Sequence, residues 1–191
     1  SVLNEAGRFA SEVLDPLNKI GDREGARLTP QGVRCASGFV EAYRQYVEGG
    51  WTQLAVSVEH GGQGMPLALG TAAEEISCGA NTAFILCPLL ARGAIEAIAA
   101  VGSAELRERY LPKLVSGEWT GTMNLTEPQA GSDLAALRTR AVREGDHLRL
   151  IVQTTFITYG CRDIAANILH LLLARIDGMA QHVITSRGIA Y

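Results

Sequence analysis

The spacing of hydrophobic residues changes along the chain, and the change falls close to Gly117. Before that point, hydrophobic residues recur every three or four positions, which places them on one face of an α-helix. The first such face consists of Val2, Ala6, Phe9, Val13 and Leu17. After Gly117, polar and apolar residues alternate, which is typical of half-buried β-strands. The pattern predicts an α+β protein in which helices come first and strands follow.

Several further helices are predicted before Gly117. Thr29-Pro30 predicts the start of one, because a hydroxyl can cap a first turn and proline fits its first position. This helix would end at Gly49-Gly50, since glycine tolerates the left-handed conformation of a helix end. The other helices are predicted over residues 67–77, 82–101 and 104–115. The most apolar one, 82–101, contains a proline and two charged residues, so we interpret it as a buried core helix and not as a membrane span.

Strands are predicted in the second part of the chain. The first covers 119–125, and a hairpin pairs 137–142 with 147–152 around a turn at residues 144–146. A nearly continuous apolar run at 168–175 predicts a strand buried on both faces. These boundaries predict an all-helical N-terminal domain, a partial β domain and an unassigned tail without the pattern of a further strand, over residues 1–117, 118–178 and 179–191.

Composition narrows the class of protein. Apolar residues make up 47% of the chain and charged residues 19%, which fits a folded soluble protein and not a disordered one. The net charge is −3 with both signs scattered, so no nucleic-acid surface is predicted. The N-terminal pattern is amphipathic and does not resemble a signal peptide. Isolated cysteines favour reduced thiols in the cytoplasm, and isolated histidines predict no metal site.

The stretch 123–133 is the most informative for chemistry; it reads Met-Asn-Leu-Thr-Glu-Pro-Gln-Ala-Gly-Ser-Asp. Within it, Pro128 stiffens the turn and Gly131 allows a ligand to approach the backbone closely. Thr126 and Ser132 offer hydroxyl groups. A loop of this kind can bind anionic or carbonyl oxygens, although its composition alone also fits a purely structural turn.

Residues 126–133 are similar to the flavin- and substrate-binding signature of acyl-CoA dehydrogenases, Thr-Glu-Pro-x-Ala-Gly-Ser-Asp. Two other segments resemble that family in the expected order. One is the glycine-rich Glu-His-Gly-Gly-Gln-Gly at 59–64, and the other is Phe-Ile-Thr at 156–158, followed by Gly160. The chain is identified by these motifs as a member of the family, whose middle domain is β-barrel-like and would be incomplete here.

The resemblance implies FAD as cofactor and an acyl-CoA thioester as substrate. Flavin contacts would come from Met123, Leu125, Thr126, Gly131, Ser132, Phe156, Ile157 and Thr158. Ser132 would also touch the acyl-CoA, Phe156 would lie against the flavin ring, and Thr158 would reach toward its reactive nitrogen. The implied reaction removes the α proton and transfers a hydride from the β carbon to the flavin, as in fatty-acid β-oxidation. An electron-transfer flavoprotein or similar acceptor and a homo-oligomer are also implied.

Two features depart from the family pattern. Val152-Gln153-Thr154 stands where relatives usually carry Gly-x-Lys. The family's C-terminal helical bundle, which carries the catalytic glutamate, is absent from residues 1–191. We therefore expect these residues alone to contain no catalytic base, to show no turnover and to bind flavin weakly or not at all, with Glu127 in a structural role. The alternative is a non-catalytic remnant or partner subunit that acts as an interaction module.

Overall fold

The first part of the chain is mainly helical. The computed structural model describes residues 1–176 and the backbone of residues 182–187. The helices are α1 (Val2–Phe9), α2 (Asp15–Glu24), α3 (Phe39–Glu48), α4 (Leu67–Val101) and α5 (Ala104–Val115). A π-helical turn, Ala10–Leu14, joins α1 to α2, so the first two form one continuous helical segment.

The helix start predicted at Thr29-Pro30 is wrong. Strands β1 (Arg27–Thr29) and β2 (Gly32–Arg34) form an antiparallel hairpin there, and α3 begins only at Phe39. The Thr29 hydroxyl donates to the carbonyl oxygen of Gly32 at 2.7 Å and accepts from the N–H of Gln31 at 3.2 Å. The same hydroxyl chemistry that caps a helix therefore closes a tight turn, and the N-terminal part is not all-helical.

The two helices predicted at 67–77 and 82–101 are the halves of α4, which bends at Asn81 (φ −156°, ψ 84°). The Asn81 amide donates to the carbonyl oxygen of Leu14 at 3.2 Å, and its oxygen accepts from the N–H of Phe84 at 3.0 Å. Asn81 thus caps the second half and ties the bend to the first helical segment. By length and composition α4 meets the criteria for a membrane span. The bend and the fully buried Phe84 and Ile85 show that it packs as the core helix.

The strands that follow form an open mixed sheet. They are β3 (Trp119–Asn124), β4 (Arg140–Glu144), β5 (His147–Ile151), β6 (Asn167–Ile176) and β7 (His182–Arg187). The central strand is β6, which pairs in parallel with β3 and antiparallel with β7. The last two residues of β6 pair in parallel with β4, which forms the predicted hairpin with β5. Over the described residues the sheet does not close into a barrel.

Strand β7 overturns the prediction that residues 179–191 contain no further strand. Its hydrogen-bonding partner is β6, along the register from Leu169 to Ala174. A strand that lies beside a central strand is specified by this pairing as much as by its own sequence, so its six residues give only a weak local signal. Residues 177–181 and 188–191 lie outside the described part of the chain.

Gly121 in β3 permits the closest contact between the sheet and the helices. A Cβ atom at this position would lie 2.5 Å from the Cβ of Ala94 and 3.3 Å from the Cα of Ala91, both in α4. Such an approach is possible only where small residues face each other. The contact leads into a core that α4, α5 and β6 share, with Leu114 and Leu169 among its buried side chains.

We expect Gly121→Ala to lower the free energy of unfolding by about 1–3 kcal/mol, because the added methyl group must push β3 away from α4. The control is Gly79→Ala, which adds the same group in α4 where no atom lies within 4 Å. This variant should be neutral or more stable by up to about 1 kcal/mol. Chemical denaturation measures both changes, and equal destabilisation by the two variants would contradict the packing argument.

Candidate functional site

The loop at 125–133 leaves the end of β3 and is braced by its own backbone. The N–H of Glu127 donates to the carbonyl oxygen of Ala130 at 2.8 Å, and the N–H of Ala130 donates back at 3.0 Å. The Asp133 carboxylate accepts from the N–H of Ala135 at 3.0 Å and starts a short 3-10 turn. The loop therefore has a defined shape set by short-range contacts.

Within this loop, the side chain of Glu127 is buried, and only 4% of its surface is exposed. Its carboxylate accepts from the N–H and hydroxyl of Thr139 at 2.7 and 2.6 Å, and from the N–H of Arg138 at 2.8 Å. The Gln129 amide also donates to it. Burial alone would raise the pKa of Glu127, but these hydrogen bonds outweigh burial and bring the pKa to about 2. Glu127 is thus a structural anchor, as expected.

The structure brings the two predicted flavin segments together at the end of β3. The N–H of Thr155 donates to the carbonyl oxygen of Thr126 at 2.8 Å, which joins the segments directly. The hydroxyl of Thr122, in β3, donates to the carbonyl oxygen of Thr158 at 2.6 Å. These hydrogen bonds therefore hold residues up to 36 positions apart in sequence next to each other.

All eight predicted flavin contacts retain some exposure to solvent. Met123, Gly131, Ser132, Phe156 and Thr158 are exposed, whereas Leu125, Thr126 and Ile157 are half-buried. The Phe156 side chain is 90% exposed, which is unusual for a large aromatic ring. Gly131 is not crowded, because an added Cβ would make an ordinary van der Waals contact with the Cγ2 of Thr126 at 3.8 Å. Packing within the described chain therefore does not require glycine there.

Comparison with known proteins decides the family. The family described as "Acyl-CoA dehydrogenase, N-terminal domain" matches residues 2–118. The chain belongs to the acyl-CoA dehydrogenase family. The 3-methylmercaptopropionyl-CoA dehydrogenase of Ruegeria pomeroyi is 49% identical over 191 residues, which is 100% of this chain and 32% of that protein. A butyryl-CoA dehydrogenase of Syntrophomonas wolfei is 37% identical over 173 residues, covering 88% of this chain and 28% of that protein.

A solved structure shows the same fold. The acyl-CoA dehydrogenase of Bacillus anthracis, in complex with FAD, matches with a TM-score of 0.79 and 22% identity, over 97% of this chain and 30% of that one. The chain thus spans about a third of the length of its acyl-CoA dehydrogenase relatives.

In this chain, backbone strain is concentrated in and next to the second predicted flavin segment. Phe156 (φ 57°) and Tyr159 (φ 53°) are the non-glycine residues with positive φ in the described part of the chain. Val152, which replaces the usual glycine, has no positive φ and so carries no such cost. Gly160 is required sterically, because a Cβ there would lie 2.4 Å from the Cγ2 of Ile157.

Two anchors of this segment were not identified from the sequence. The hydroxyl of Tyr159 donates to the carbonyl oxygen of Ala83 in α4 at 2.7 Å. The Asp163 carboxylate accepts from the N–H of Cys35 at 2.8 Å and forms an ion pair with Arg34 at 3.2 Å. Each contact joins residues that are more than 70 positions apart, so no local pattern reveals it.

Two cavities of similar volume lie in the helical part and next to residues 156–159, so volume alone does not indicate which of them belongs to the predicted flavin site. One of about 500 Å³ is lined by residues 156–159 together with Leu86 and Phe39. The other, of about 420 Å³, lies between the two halves of α4 and contains the ion pair of Arg92 and Glu74 at 2.6 Å. None of the eight predicted flavin contacts lines this second cavity.

A buried pair of polar side chains, Asn124 and His170, joins β3 to β6. The side-chain amide of Asn124, at the end of β3, is 3.1 Å from the Nδ1 atom of His170 in β6. Burial lowers the pKa of His170, so the ring is neutral near pH 7. Within residues 1–176, no group of His, Cys, Asp and Glu side chains could hold a metal ion.

We expect Glu127→Gln to lower the free energy of unfolding at pH 7 by about 1–3 kcal/mol, because a neutral amide replaces a carboxylate that accepts several hydrogen bonds. The folded pKa of Glu127 is about 2, below the ordinary value of about 4.3. Its stabilising contribution is therefore present above about pH 5 and is lost as the pH falls toward 2. The stability difference between wild type and variant should shrink over that range.

The matched control for this prediction is Glu75→Gln, at an exposed position on α4. It should change stability by less than about 0.5 kcal/mol. Urea denaturation at a series of pH values measures both variants. A constant difference between wild type and Glu127→Gln across the acid range would show that the carboxylate is not stabilised in its charged form.

Proposed function

We propose that this chain forms the flavin-binding portion of an acyl-CoA dehydrogenase that desaturates an acyl-CoA thioester. The observation that carries the proposal is the hydrogen bond from Thr155 to Thr126, which holds next to each other the two segments matched by resemblance, both of which contain residues at the protein surface. We further propose that residues 1–117 and 118–178 correspond to two domains, with the site where they meet.

The residues at this surface fit FAD. The exposed ring of Phe156 offers a face on which a flavin ring can pack, and the exposed, uncrowded Gly131 allows a cofactor to approach the backbone. The hydroxyls of Thr126, Ser132 and Thr158 can donate to or accept from its polar edges. When bound, FAD supplies the hydride acceptor, while the chain supplies binding and orientation.

The chain's own residues also provide a surface for the acyl-CoA. The exposed Ser132 is the proposed substrate contact. Met123 lies across from Gly93 of α4, with its methyl group 4.0 Å from the position of a Cβ there, and we propose that this apolar side chain contacts the acyl chain. An acyl chain packed on Met123 would help to exclude water from the reacting carbons.

Each acidic side chain of the loop at 125–133 takes part in a structural hydrogen bond, so neither is proposed as the base. Glu127 is fully hydrogen-bonded and buried, and Asp133 accepts from a backbone N–H. A base must come within about 2.6–3.2 Å of the proton it removes. We propose that it lies outside residues 1–191, and that an electron-transfer flavoprotein or similar acceptor reoxidises the flavin. We also propose a cytoplasmic homo-oligomer.

The first test is FAD binding by the 191-residue chain, measured by flavin fluorescence and by saturation-transfer NMR, which detects weak complexes. We expect weak, saturable binding that Phe156→Ala reduces roughly 2- to 10-fold through loss of ring packing. Leu28→Ala is the control, since Leu28 is also highly exposed, at 85%, but lies in the β1–β2 hairpin. Absence of saturable binding by the wild type would contradict the proposal that residues 1–191 bind flavin by themselves and would favour a non-catalytic interaction module.

The second test is turnover with acyl-CoA substrates and an artificial electron acceptor in excess FAD. The named substrates of the relatives, 3-methylmercaptopropionyl-CoA and butyryl-CoA, are the first choices. We expect no rate above the protein-free background, because both carboxylates of the site loop are engaged in structural hydrogen bonds. A rate comparable to that of a full-length relative would show that the base lies within residues 1–191.

A further inference from the structure

The turn at 156–160 combines backbone strain with an exposed aromatic ring. Phe156 and Tyr159 both adopt left-handed conformations, and the Phe156 side chain is 90% exposed. Conformations of this kind are costly for residues other than glycine and persist only where surrounding contacts enforce them. The contacts that hold this turn therefore indicate which residues maintain its strained conformation.

Tyr159 provides the contact between this turn and the helical part. Its hydroxyl donates to the carbonyl oxygen of Ala83, which lies in the first turn of α4 after the bend at Asn81. The guanidinium of Arg162 lies over the Tyr159 ring, 5.3 Å from its centre. Burial raises the pKa of Tyr159, so the phenol keeps its proton over the whole usable pH range.

The other hydrogen bonds of residues 156–163 connect them to parts of the chain other than α4. Thr122 holds the carbonyl oxygen of Thr158 to the sheet, and Asp163 holds the following residues to the β1–β2 hairpin. Neither contact joins the turn to α4. Loss of the Tyr159 hydroxyl would therefore leave Phe156 without a direct hydrogen-bonded link between its turn and the helix.

We infer that Tyr159 is a positioning residue of the flavin site, whose hydroxyl fixes the strained turn so that Phe156 and Thr158 face the cofactor. This role rests on the proposed function, because the turn must contact the flavin. Tyr159 itself need not touch the cofactor. Its effect is to set the direction of the neighbouring residues before the cofactor binds, which lowers the ordering cost of binding.

The test compares Tyr159→Phe with Tyr43→Phe in the full 191-residue chain. Both variants delete a phenol hydroxyl that donates to a backbone carbonyl, since the Tyr43 hydroxyl donates to Gly117 at 3.1 Å. We expect Tyr159→Phe to weaken FAD affinity roughly 2- to 10-fold, the range set by one hydrogen bond. It should also diminish the shift of the flavin absorption band on binding and speed amide hydrogen exchange at residues 156–160.

Tyr43→Phe should destabilise the fold to a similar extent while leaving FAD affinity and the absorption shift unchanged. If Tyr159→Phe binds FAD like the wild type, the positioning role is overturned while the flavin site stands. If both variants weaken binding equally, the effect is one of general stability and the role is again overturned. If the wild type itself does not bind FAD, the proposed function fails and the positioning role fails with it.

Discussion

The close packing of β3 on α4 at Gly121 is the constraint on which the candidate site depends. The site loop leaves from the end of β3, and the hydroxyl of Thr122 in the same strand holds the Phe-Ile-Thr segment. Tyr159 then returns to α4. The distance between strand and helix therefore sets the position of both segments at once, and only small residues at the contact allow that distance.

The polar groups of the site loop divide into two kinds. The Glu127 carboxylate accepts hydrogen bonds from Thr139, Arg138 and Gln129, and these bonds stabilise the conformation of the loop. The hydroxyl group of Ser132, in the same loop, is exposed to solvent. With both of its oxygens engaged, the Glu127 carboxylate is suited to holding the loop in shape, whereas proton removal needs a carboxylate within hydrogen-bonding reach of the substrate proton.

The exposed apolar side chains near the site, Phe156 and Met123, are costly to leave in water and need a cover. Phe156 lines a cavity together with Leu86 and Phe39 of the helical part, yet its side chain remains 90% exposed. A flat, stacked cofactor on this surface would bury them. The strain at Phe156 fits the same explanation, because a fixed turn keeps its ring available to a ligand.

Sequence patterns predicted the elements that are stabilised by local or strongly periodic signals. The helix at 104–115 was predicted with the bounds that the structure shows, and the hairpin around Gly145 was predicted from its turn and its alternation. The family motifs also identified both segments of the candidate site. These signals are local, because caps, turns and periodic faces are encoded within a few consecutive residues.

Tertiary contacts decided the rest. The Thr29 hydroxyl closes a hairpin instead of capping a helix, and β7 is specified by pairing with β6. The hydrogen bond from Tyr159 could not be predicted from the sequence either, because its partner Ala83 lies 76 positions away. Sequence alone thus determined the family, the order of helices and strands and the residue types of the site. Only the folded chain determined which of them meet, because contacts between distant residues leave no periodic trace in the sequence.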